Sequence, residues 1–194
     1  HALRIKNSLK GGIINSISDI NKENSKILSK ELGGVKIFED PYALIKSSEV
    51  DAILVCSIGQ THEEFVLASI AAGKYVFCEK PLATSAVACK KIVDAEMKFG
   101  KRLVQVGFMR RYDSGYQKLK KAIDNFEIGD VLMMHCAHRN SSVPESYVTE
   151  MAVSDSLVHE LDAVRWLLKE NYISAQMILA KKTKYSHDKL HDPQ

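Results

Sequence analysis

The amino-acid sequence predicts an α/β chain: a doubly wound, Rossmann-type parallel sheet lacking its first strand, followed by the start of an α+β substrate domain. Three observations carry this. Short apolar runs alternate with helical stretches as far as residue 109, the pattern that builds a parallel sheet. The runs Asp51–Cys56 and Tyr75–Cys78 are apolar almost throughout, as strands buried on both faces require. Beyond residue 109 a helix, a long strand of mixed polarity and a polar loop replace the alternation. The expected domains are therefore 1–109 and 110–194, the first incomplete at its N-terminus and the second at its C-terminus.

Residues 1–10 read as the tail of a helix, ended by Gly11-Gly12. Ile13 to Ser18 is a short strand, closed by Asp19. Residues 21–32 are helical and stop at Gly33-Gly34, the usual place for glycine after a helix. Val35 to Phe38 is a strand, and Pro41 opens a short helix, because a first-turn proline loses no helical hydrogen bond. After the Asp51–Cys56 strand, Thr61 and Glu64 have capping-box spacing for a helix running to Ala72. Gly73 ends that helix, and Tyr75–Cys78 follows. Pro81 has no N–H and cannot continue a central strand, so Glu79 and Lys80 stand where the strand stops. Residues 84–99 form a helix closed by Gly100, and Leu103–Phe108 is the next strand.

In the second domain, helices are expected at 114–126 and 153–169 and strands at 131–140 and 173–180, with a polar loop over 141–152. Leu157, Leu161, Val164 and Leu168 mark the face that anchors the later helix. The chain opens inside a helix and stops without a closing element, so both ends read as cut. A first strand and a G-x-G-x-x-G phosphate loop are expected just before His1. In the usual strand order that missing strand is central, so the second and fourth strands are expected to lack their shared neighbour.

Composition narrows the function classes. The chain is 45% apolar and 26% charged with a net charge of +3, ordinary for a soluble protein. Lysines alternate with acids on helical stretches, the pattern of a solvated face rather than a nucleic-acid surface. No apolar stretch approaches the roughly 20 residues of a membrane span, and no signal peptide is visible. Cys56, Cys78, Cys89 and Cys136 show no paired spacing. Two lie in apolar strands and read as buried thiols, which favours a cytoplasmic setting.

Four groups of residues carry candidate chemistry. Lys80 stands at a strand's carboxyl end, where open α/β sheets bind ligands, and an ammonium there can offset charge developing on a substrate oxygen. A solvated Glu79–Lys80 pair fits this stretch equally well. Asp19, after the first visible strand, is placed to bind a cofactor ribose and repel a 2′-phosphate, or simply to close a turn. Asp155, His159 and Asp162 fall on one helical face. An acid one turn before a histidine orients an imidazole that takes a proton near neutral pH, and a solvated surface pair has the same spacing. His138 and Asn140 point to one side of a strand, lining a pocket or an exposed sheet face. Arg110 and Arg111 follow a strand end, where they bind hydroxyls or phosphate or form a solvated junction. His135, Cys136 and His138 alternate faces, so no metal site is expected.

These pieces resemble the glucose–fructose oxidoreductase and inositol dehydrogenase family over essentially the whole chain. Glu79-Lys80-Pro81 is similar to that family's E-K-P motif, and Asp155 and His159 to its D-x-x-x-H helix. The stretches Tyr75–Thr84, Val106–Tyr116 and His135–Asn140 resemble most closely the members that act on myo-inositol. The resemblance implies NAD as cofactor, bound through Asp19, Ser57, Glu79 and Lys80. It implies oxidation of the inositol C2 hydroxyl with Lys80, Asp155 and His159 catalytic, and Arg110, His138, Asn140 and Asp162 holding the other hydroxyls. It also implies a homotetramer. Another inositol isomer or a pyranose as substrate, or a non-catalytic nucleotide-binding role, are the alternatives.

Overall fold

The computed structural model describes residues 1–179 and residue 190. The chain divides into two compact units, His1–Val106 and Gly107–Gln194. No helix among the described residues is long and apolar enough to cross a membrane.

The first unit runs α1 (Ala2–Ser8), β1 (Ser16–Ile17), α2 (Lys22–Leu32), β2 (Lys36–Ile37), α3 (Pro41–Lys46), β3 (Ala52–Val55), α4 (His62–Ala71), β4 (Tyr75–Cys78), α5 (Ala86–Phe99) and β5 (Val104–Val106). All pairings are parallel, and this is the Rossmann-like α/β arrangement expected. The ladder comes in two pieces, β1–β2 and β3–β4–β5. Among the described residues, β1 is hydrogen-bonded to β2 and to no other strand.

Local sequence fixes most helix ends. The Asn21 side chain accepts from the Glu23 and Asn24 amides at 3.0 and 3.1 Å, capping α2. Asp40 accepts from the Tyr42 amide at 2.9 Å ahead of Pro41. Ser85 does the same for Ala88 at 3.1 Å. Gly33, with φ of 100°, ends α2 in a left-handed turn that a side chain disfavours. The expected capping box at α4 does not form. Thr61 has helical backbone geometry and caps nothing. Its hydroxyl turns back to within 2.7 Å of the Ser57 Oγ and 2.8 Å of the Ile58 carbonyl. Glu64 instead accepts from the Tyr42 hydroxyl at 3.0 Å.

The core lies between β3–β4–β5 and the helices α4 and α5. Ile53, Val55, Val76 and Cys78 point into it and meet Val66, Ile70 and Ile92. Each such aliphatic side chain contributes about 1.5–3 kcal/mol. Burial pushes the Cys78 thiol up to about 12. Burial on both faces, expected from the apolar runs, is not what the strands show. Leu54 and Tyr75 are 39% and 50% exposed. That opposite face is only partly covered: Ile5 and Leu9, with Leu54 and Phe77, line an open groove.

The second unit holds a 3-10 turn (Met109–Tyr112), α6 (Ser114–Asp124), α7 (Thr149–Met151), a π-helical segment (Ala152–Leu157) and α8 (Val158–Leu168). Asp113 caps α6 through the Gly115 and Tyr116 amides at 2.8 and 3.0 Å. Helix α8 packs on α6 and on the 3-10 turn. Three expectations need correction. Residues 131–140 form no strand; Leu132 and Met133 are 94% and 88% exposed, and no described segment pairs with this one. Residues 173–178 form no strand either; Leu179 is an isolated bridge and residue 180 lies outside the described residues. The single helix expected over 153–169 begins as a π segment, and its buried stripe is Ala163 and Leu167 with Glu160, while Leu157 is 41% exposed.

Candidate active site

In the first unit, Ser57, Glu79 and Lys80 gather at the carboxyl ends of β3 and β4, while Asp19 follows β1. The Glu79 amide donates to the Val55 carbonyl at 2.9 Å, the last rung before the chain turns away. The Lys80–Pro81 peptide that follows is cis. Glu79 Oε1 lies 2.6 Å from His1 Nε2, and Oε2 accepts from the Lys80 amide at 3.2 Å. Lys80 itself is half-buried. Ser57 is exposed two residues beyond β3, with its hydroxyl against Thr61. Asp19, two residues beyond β1, accepts from the Asn21 amide at 2.8 Å. Its turn role is therefore real, and its side chain remains exposed. Two carboxylates, a hydroxyl and an ammonium along the strand ends are the donor and acceptor mixture that a dinucleotide's ribose hydroxyls call for.

The second unit builds a separate polar cluster around Glu160, a residue that the sequence reasoning missed. Its side chain is 8% exposed. Arg110 Nη1 donates to Glu160 Oε1, and His138 Nδ1 lies 3.2 Å from Oε2. Arg110 Nη2 is 3.5 Å from the same His138 nitrogen. A nitrogen that donates to the carboxylate cannot also accept from a guanidinium, and the shorter contact is the stronger one. Burial works to raise the Glu160 carboxyl, but the Arg110 and His138 hydrogen bonds outweigh it and hold it below the usual carboxylate range.

His159, also buried, lies beside this cluster, its ring 6.4 Å from that of His138. The structure thus brings Arg110, His138 and His159 together. Asn140 stands with different partners: its Nδ2 donates to Ser156 Oγ at 3.3 Å, and Ser156 also meets the buried Tyr147 hydroxyl at 2.7 Å. Asp162 is clamped by Arg111 through two bonds, Nε to Oδ2 at 2.8 Å and Nη2 to Oδ1 at 2.5 Å. That hydrogen bond raises the Arg111 guanidinium further. Asp155 is half-buried in the π segment, so the four-residue step to His159 crosses from π to α geometry. Such segments occur frequently at functional sites.

One signal for Glu160 was available. It falls three and seven residues before Ala163 and Leu167, on the buried stripe of α8. A carboxylate on an apolar stripe needs a cationic partner. Tyr147 and Ser156 carried no comparable signal. Among the described residues, no group of three or more histidine, cysteine, aspartate or glutamate side chains is arranged to hold a metal ion.

Comparison with known proteins adds the family. The model described as an oxidoreductase family with an NAD-binding Rossmann fold matches residues 1–108. The GFO/IDH/MocA C-terminal domain matches residues 116–192. The inositol 2-dehydrogenase of Paracoccus denitrificans (strain Pd 1222) is 53% identical over 195 residues, covering all of this chain and 58% of the relative. That of Pseudomonas syringae pv. syringae (strain B728a) is 51% identical with the same coverage. The myo-inositol dehydrogenase from Lactobacillus casei, solved with NAD(H) and myo-inositol, superposes with a TM-score of 0.92 at 37% identity, covering all of this chain and 57% of that one. The chain therefore spans a little under three-fifths of the length of the curated relatives it matches. By the family match over its first 108 residues, the chain belongs to the GFO/IDH/MocA oxidoreductase family with the NAD-binding Rossmann fold.

Proposed function

We propose that the complete protein oxidises myo-inositol at C2 to 2-keto-myo-inositol (scyllo-inosose), with NAD as cofactor. The observation that carries this reading is the cluster in the second unit: a buried histidine beside an arginine and a second histidine held by Glu160. A polyol needs several directional polar groups, and alcohol oxidation needs a base for the hydroxyl proton. Relatives and a solved neighbour named for inositol support the substrate.

When bound, NAD supplies the hydride acceptor for the C2 carbon. His159 takes the hydroxyl proton through an imidazole nitrogen as the C–O bond becomes a carbonyl. Lys80 polarises that oxygen with its ammonium. Asp155 tunes the site. Arg110, His138 and Asn140 hold the remaining hydroxyls, and Asp162 joins them with whatever acceptor capacity Arg111 leaves it. Asp19, Ser57 and Glu79 hold the cofactor with Lys80, and the Asp19 carboxylate disfavours the 2′-phosphate of NADP. The homotetramer and the cytoplasmic location belong to this reading; exposed Leu132 and Met133 accord with the first and the buried free thiol of Cys78 with the second, although Cys56, also expected to be buried, is exposed.

The test is NADH formation by the full-length protein with myo-inositol, scyllo-inositol and glucose in parallel, each with NAD and NADP. Turnover led by myo-inositol with NAD is expected. Turnover led by another polyol, or none with any, overturns the reading.

A further inference from the structure

The loops that follow β3 and β4 are joined by a side chain with no part in the chemistry above. His62 opens α4 and is 1% exposed. Its Nδ1 lies 2.6 Å from the carbonyl oxygen of Pro81, and its Nε2 lies 3.0 Å from that of Ser57. A buried imidazole is costly unless its nitrogens find partners. Both neighbours are backbone carbonyls, one from each loop; carbonyls only accept, so a ring with one N–H donates to one of them while its other nitrogen abuts the second.

Two further contacts bind the same loops. The Ser57 hydroxyl meets Thr61 Oγ1 at 2.7 Å, which ties the β3 loop to the turn before α4. That turn packs on the β4 loop: a Cβ at Gly59 would sit 3.5 Å from two Pro81 ring carbons and from the Thr84 methyl. His62 thus stands between the backbone that carries Ser57 and the backbone that carries Lys80, beside this apolar contact and the sheet pairing.

We infer that His62 is a positioning residue for the cofactor. It fixes Ser57 and Lys80 relative to one another at the sheet's carboxyl edge, so that both meet the nicotinamide–ribose half of the dinucleotide. The adenosine half, assigned to Asp19 beyond β1, does not depend on this ring. The inference rests on the NAD-dependent reading above.

The experiment compares full-length wild type with His62→Phe, which keeps an aromatic ring without any ring N–H, and His62→Gln, which keeps a donor. Affinities for NADH and for ADP are measured by titration. NADH binding is expected to weaken about tenfold or more in His62→Phe, with kcat/KM for NAD falling up to about 100-fold, the scale of a roughly 1 Å misplacement. ADP binding is expected to stay within about twofold of wild type, and His62→Gln to recover part of the loss. A purely structural role would weaken both ligands alike or neither, and either result overturns the inference. Wild type that binds no NADH sinks the functional reading and this inference together, whereas unchanged NADH affinity in a folded His62→Phe sinks this inference alone. Should both variants fail to fold, hydrogen exchange on wild type decides. NADH is expected to protect the amides of 57–61 together with those of Glu79, Lys80, Leu82 and Ala83, and protection of one loop without the other overturns the inference.

Discussion

Glu160 receives the guanidinium of Arg110 from fifty residues away in sequence, and the two side chains are only 8% and 18% exposed. A pair so placed sets the 3-10 turn after residue 108 against α8, and it also draws in His138. Removing one partner strands a buried charge, which is costlier than removing both. Glu160→Ala is expected to lose about 3 kcal/mol in denaturant unfolding, the lower end for a buried pair because Arg110 keeps some solvent. The double variant Arg110→Met/Glu160→Leu should recover most of that loss. A double variant as unstable as the two single losses added together would show that the pair is not coupled.

The same carboxylate gives the second unit an acid-sensitive contribution. Its ordinary value is 4.5, and in the folded chain it is held lower. A depressed carboxylate stabilises fully above its unfolded value, and the contribution fades as pH falls through the folded value. Melting temperature should therefore drop more steeply below about pH 4.5 in wild type than in Glu160→Gln. Parallel curves for the two proteins would remove Glu160 from the acid response.

Lys80 and His159 carry the chemistry in the proposed reaction, and each can be removed with little change of shape. Lys80→Met and His159→Gln of the full-length enzyme are expected to lower kcat by about 10²–10⁴-fold, the range of a general acid or base. Melting temperature should change little for Lys80→Met, which keeps the aliphatic stem. Turnover within a few-fold of wild type in either variant would withdraw that residue's assignment.

Legibility in the sequence followed the range of the interactions. The helix ends at Asn21, Asp40, Ser85 and Asp113 follow from side chains two or three residues from the amides they cap, so local sequence carries them. Thr61 shows the limit: the same residue types form no cap where Thr61 is itself the last residue of a 3-10 turn, Gly59–Thr61. Burial of β3 and β4 on one face depends on what lies across the sheet, which apolar runs do not encode. In the site, the chemistry-bearing residue types stood out one by one. Their pairings did not, because Arg110 with Glu160 and Arg111 with Asp162 span 50 and 51 residues. Nothing in the spacing distinguishes those pairings from the reverse.

Cofactor choice is the last consequence, and it lies in a two-residue turn. Asp19 is exposed and offers a carboxylate where the adenosine ribose is expected, and Ile20 beside it is fully exposed with no packing to lose. A 2′-phosphate there would meet a like charge, whereas an arginine nearby accommodates it. Asp19 also accepts from the Asn21 amide at 2.8 Å, a turn bond that serine can replace more weakly. The variant Asp19→Ser/Ile20→Arg should therefore keep the turn, remove the repulsion and add a phosphate partner. In the full-length enzyme, the ratio of kcat/KM for NADP to that for NAD is expected to rise at least about 100-fold, since each tenfold step requires only about 1.4 kcal/mol and a single charge contact near a protein surface is worth about that or more. An unchanged ratio would place the ribose hydroxyls elsewhere and leave Asp19 as a turn residue alone.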